Sequence, residues 1–177
     1  MPRWLELTAT AGLLAAAVPA AAQMPDGWTS EPAALADIVA GGQGCVGTTI
    51  VPAQADRWAG WTSLTEQQRD ELDVNIEEGT QGDVLSRNNV LAVYASGTDG
   101  GCVVLARADA DFEPAVFKER LGAAVGVTLP EAAEGEPMQL HLPNGETMVV
   151  VLQPQGKETT ITLALANGAR TNDNLGN

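Results

Sequence analysis

The chain has 177 residues, with 23 acidic side chains against 9 basic ones and a net charge of −14. So acidic a surface is repelled by phosphate backbones and anionic headgroups, which sets nucleic acid and membrane surfaces aside as partners. No stretch supplies the roughly 20 strongly apolar residues of a membrane span, and the length suits one domain around one core.

Residues 1–22 read as a secretory signal peptide. Arg3 gives a positive start, residues 7–18 are almost all apolar or small, and Ala20-Ala21-Ala22 offers an A-x-A cleavage site before Gln23. Cleavage is expected after Ala22. With no cysteine near that site and no twin-arginine pair, the pattern points to general export, folding after export, and a periplasmic or secreted location. In an oxidising compartment the two cysteines, Cys45 and Cys102, are expected to form one bridge. A redox site is disfavoured, because C-x-x-C is absent.

Residues 23–167 are expected to form a single α+β domain. Ser30 suits a helix N-cap, with Glu31 and Pro32 in the first turn. Leu35, Ile38 and Val39 then recur at helical spacing over 33–40, and Gly41-Gly42 reads as the stop, with Cys45 just beyond it. Residues 48–51 suit a short strand ended by Pro52, and 53–62 reads as irregular. A second helix is expected from about Thr65 to Leu72, extending towards Ile76, because Ser63-x-x-Glu66 and Thr65-x-x-Gln68 both fit a capping box. Residues 78–82 read as a loop.

The runs 90–95 and 102–107 are continuously apolar and rich in β-formers. The turn-rich stretch 96–101 between them predicts a hairpin whose strands are covered on both faces and central in the sheet. Asp111 is then expected to cap a third helix, with Glu113 and Pro114 in its first turn and Phe117, Leu121, Ala124 and Val125 on its apolar face. A three-strand meander follows. Met138, Leu140 and Leu142 alternate with Gln139 and His141. Pro143-Asn144-Gly145 turns the chain, 147–153 returns, Pro154-Gln155-Gly156-Lys157 turns again, and Ile161, Leu163 and Leu165 alternate with polar or small residues. Residues 168–177 are expected to be a disordered tail.

The expected architecture is therefore two helices, a hairpin, a helix and a meander, giving about five antiparallel strands and one disulfide. Its element order is similar to that of profilin-like and PAS-like domains, and its helical lead to NTF2-like cones. Element order alone carries no function.

The chemistry-bearing motifs are weak. Gly42-Gln43-Gly44-Cys45-Val46-Gly47 matches G-x-G-x-x-G, but it follows a helix where a phosphate loop follows a strand. Asp109, Asp111 and Glu113 begin like a calcium loop, yet Pro114 stands where the glycine is needed. His141 is the only histidine, and its strand phase places it on the wetter face with no nucleophile beside it in sequence. No catalytic residue, cofactor or metal is assigned. The remaining cluster is Arg57, Trp58 and Trp61, two aromatic rings and a cation in a loop of an aromatic-poor chain. These suit contact with a sugar ring or a partner's side chain, or cover for an open edge of the core. The sequence thus favours a non-catalytic exported domain that binds or regulates a periplasmic protein or glycan. The alternatives are a small secreted hydrolase and a small-molecule carrier or sensor. Oligomeric state is not encoded in any local pattern.

Overall fold

Residues 28, 31–48, 55–74, 76, 80–96, 100–133, 135–155 and 157–166 are described by a computed structural model. The expected leader at 1–22, its cleavage site, the strand residues 49–51 and the tail at 168–177 lie outside the described residues.

The elements run α1 (Leu35–Cys45), a 3₁₀ turn (Ala55–Trp58), β1 (Thr62–Ser63), α2 (Glu66–Glu71), β2 (Gly82–Arg87), β3 (Val90–Ala95), β4 (Gly101–Ala108), α3 (Pro114–Val125), β5 (Met138–His141), β6 (Thr147–Gln155) and β7 (Glu158–Ala166). All seven strands form one antiparallel sheet in the order β1-β2-β3-β4-β7-β6-β5. The α3 crossover carries the chain from β4 to the far edge, and the β5–β6–β7 meander walks back to close against β4.

Register decides what each face buries. Val104 lies opposite Leu163, and Leu163 opposite Val150. These residues point to the side where α1 and α3 supply Ile38, Phe117 and Leu121, all fully buried. Each such side chain is worth about 1.5–3 kcal/mol of burial. Their neighbours Leu105, Thr162 and Val151 point the other way. On that side Val84, Leu91 and Leu105 cluster with Leu64, and half-buried Trp28, Leu72, Val74 and Ile76 pack against them. Strands β3 and β4 are thus central and covered on both faces, as their unbroken apolar runs predict.

Seven strands stand where about five are expected. The additional two are β2 and β1. Residues 82–87 mix Asp83, Ser86 and Arg87 with Val84 and Leu85, so their apolar pattern is short. What makes them a strand is the two-residue link to β3: Asn88 and Asn89 both hold positive φ, 42° and 67°. Asparagine tolerates this left-handed backbone, and such a turn matches the twist of a hairpin. β1 is two residues pairing with Leu85 and Ser86.

The first helix does not stop at Gly41-Gly42 but continues to Cys45. A Cβ on Gly41 would stand 2.8 Å from Val104 Cγ1, and one on Gly42 2.8 Å from Leu121 Cδ1. The glycines let α1 seat closely on β4 and α3. That packing outweighs the roughly 1 kcal/mol each costs in helix propensity.

The α3 cap also differs: Glu113 occupies the N-cap without a side-chain bond, and Pro114 opens the helix. Asp111 instead donates its N–H to Asp109 Oδ1 at 3.1 Å. Phe117, Leu121 and Val125 are buried as the periodicity predicts. α2 carries the expected box, with Thr65 Oγ1 accepting from Gln68 N–H and Gln68 Oε1 from Thr65 N–H. It ends at Glu71, and Asp73 turns the chain at φ 51°. Finally, Pro154 lies inside β6 and not in the turn. It is tolerated there because β5 pairs with β6 only as far as Val150, leaving Pro154 on an open edge.

Candidate functional site

The expected bridge is present. Cys45, the last residue of α1, is bonded to Cys102 on β4, with a Cα–Cα distance of 5.5 Å across a sequence separation of 57. Both residues are 1 % exposed. Closing a loop of that length stabilises by about 4 kcal/mol in the chain-entropy view.

The aromatic cluster is built over this bridge. Tyr94 lies directly opposite Cys102 in the β3–β4 ladder. Trp58 stacks on Tyr94 with ring centroids 5.6 Å apart and planes 11° apart. Trp61 meets Trp58 edge-on at 5.1 Å. Trp58 is only 7 % exposed. It lies so close to α1 that a Cβ on Gly44, the residue before Cys45, would come within 2.5 Å of its ring. Trp61 is half-buried and reaches over Gly41.

The two tryptophans therefore divide the tasks that the sequence offers them jointly. Trp58 is an anchor in the core, and Trp61 stays partly open beside exposed Ala59, Gly60 and Thr62. Arg57 is half-buried, and its Nη1 donates to the Val46 carbonyl at the exit of α1. Arg87 Nη1 reaches the Ala59 carbonyl at 3.5 Å. Burial pushes the Tyr94 hydroxyl above its ordinary pKa of 10.0, and the nearby Asp83 carboxylate adds to the effect.

The G-x-G-x-x-G stretch is taken up by these contacts. Gly42 and Gly44 lie within α1 against Leu121 and Trp58, and Gly47 donates its N–H to Glu146 Oε2 at 2.8 Å. The motif thus serves packing and the fastening of the β5–β6 turn.

Among the described residues no group of three or more His, Cys, Asp or Glu is arranged to hold a metal ion, Asp109, Asp111 and Glu113 included. His141 is exposed on β5, with Nδ1 3.3 Å from Thr147 Oγ1.

Two buried carboxylates have no distinguishing signal in the sequence. Asp37 on α1 is 7 % exposed. It receives Arg87 Nε at 2.8 Å and Asn88 Nδ2 at 3.1 Å, tying the helix to the β2–β3 turn. Glu146 is fully buried in the β5–β6 turn. Besides Gly47 N–H, its Oε2 accepts from Asn144 Nδ2 at 2.7 Å, so this turn is fastened to the exit of α1. Only tertiary placement shows these roles, because each acid's donors lie on a distant segment or in an otherwise ordinary turn.

Comparison of the chain with protein-family models, with curated proteins and with solved structures found no match.

Proposed function

We propose that this protein is a non-catalytic exported domain that binds or regulates a periplasmic protein or glycan through the segment carrying Arg57 and Trp61. The observation that supports it is the pairing of an anchored with a partly open tryptophan. Trp58 is locked between α1 and Tyr94, so Trp61 is held in place before any partner arrives. A rigid aromatic side chain loses little conformational entropy on contact. Protein and glycan surfaces both suit such a platform.

The test is native mass spectrometry of the protein purified from cells that export it, beside its Trp61→Ala variant. Wild type carries a defined additional protein or glycan mass that leaves on denaturation, and the variant, equally folded, does not. A bare oxidised chain in both preparations, or the same added mass in both, overturns the reading.

A further inference from the structure

The bridge and Trp58 of the aromatic segment belong to one buried cluster. A disulfide is reduced when a thiolate attacks one sulfur along the S–S axis. The attacking and attacked sulfurs bond, the S–S bond breaks, and the departing cysteine thiolate takes a proton from water. A second thiol then releases the first cysteine and leaves the reductant as its own disulfide. Every step needs an open path to a sulfur, and both Cys45 and Cys102 are 1 % exposed.

We propose that residues 55–61 act as a plug that gates thiol–disulfide exchange at Cys45–Cys102. Trp58 is its stopper. Its ring lies against Gly44, next to Cys45, and on Tyr94, across the ladder from Cys102. The plug is short, and side chains hold it more than backbone pairing does. It is a single 3₁₀ turn followed by Gly60 at φ +79°, fastened by side-chain hydrogen bonds from its Arg57 to the Val46 carbonyl and from Arg87 on β2 to its own Ala59 carbonyl. Among the described residues the buried Trp58 Nε1 has no hydrogen-bond partner. Lifting the turn into water satisfies that N–H, so opening recovers part of what it loses in packing.

The inference does not depend on any partner at Trp61. It also orders events during maturation. A thiol–disulfide oxidase, or a small-molecule disulfide, must reach the two thiols before the 55–61 turn docks.

The experiment measures reduction of the folded, oxidised protein by dithiothreitol, with thiols trapped and counted by mass, as a function of urea. Trp58→Ala is compared with Leu140→Ala, a core truncation on β5, with urea used to bring both variants to equal global stability. At matched stability the plug predicts reduction at least about tenfold faster in Trp58→Ala, with a urea dependence well below that of global unfolding, because a local opening exposes little surface. Equal rates at matched stability, with the full unfolding slope in both, overturn the proposal. If Trp58→Ala does not fold, Trp58→Phe takes its place in the same comparison. It is expected to give a smaller acceleration of the same kind, and its absence is equally decisive.

Discussion

Gly44→Ala sets helix propensity against packing within one substitution. Alanine favours the helix by up to about 1 kcal/mol over glycine. Its methyl, however, would stand 2.5, 2.7 and 2.8 Å from three carbons of the Trp58 ring. That ring is stacked on Tyr94 and braced edge-on by Trp61, so it has no free direction in which to retreat. Inserting a methyl into a packed site costs about 1–3 kcal/mol, and with three ring carbons under 3 Å away the upper part of that range, about 2–3 kcal/mol, applies, which leaves a net loss of about 1–2 kcal/mol. For a chain of this size the melting temperature falls by about 3–6 °C. Urea denaturation with the bridge intact reads the loss directly, and the near-ultraviolet dichroism of the tryptophans should change with it. An unchanged or raised stability would refute the reasoning, since it would mean that Trp58 does not rest on Gly44.

Other outcomes follow from the same contacts. Replacing both Cys45 and Cys102 with alanine should cost about 4 kcal/mol of stability, read by urea denaturation against the oxidised protein. Asp37→Ala removes the acceptor shared by Arg87 and Asn88. It should cost about 1–3 kcal/mol, less than a fully buried pair would, because Arg87 is partly open to water. Tyr94 is the only tyrosine, so its ionisation is read without interference by ultraviolet absorbance. It should titrate above 10.0, and on unfolding its midpoint should return towards that value. Because the folded protein holds this proton more tightly, its contribution to stability is fully present below pH 10 and is lost as pH rises through the raised value.

Much of this fold is legible along the chain where local pattern and tertiary role agree. The β3–β4 hairpin, the apolar face of α3 and the alternation in β5 and β7 follow from spacing alone, and two cysteines allow only one pairing. The pattern misleads where a residue answers to a distant neighbour. Gly41-Gly42 looks like a helix stop, yet these glycines lie inside α1 because Val104 and Leu121 occupy the space where side chains would be. β2 is hidden by its polar residues. The Asn88-Asn89 pair before the Val90 run is the local signal that marks it. In the candidate site, Trp58 and Trp61 stand out by composition. Which of them is buried depends on Gly44 and Tyr94, distant along the chain but adjacent in the fold, and no local periodicity carries that choice. Asp37 and Glu146 are opaque for the same reason, since Asp37 draws its donors from the β2–β3 turn and Glu146 one of its own from the exit of α1.

The most direct test of partner contact at residues 57–61 is site-specific photo-crosslinking from exposed position 59 in intact cells that export the protein. With Trp61 present, illumination should give a discrete adduct of defined mass, and Trp61→Ala should abolish it while the melting temperature and the bridge are retained. An adduct that survives Trp61→Ala, or no adduct from position 59 at all, would contradict a binding role for this segment.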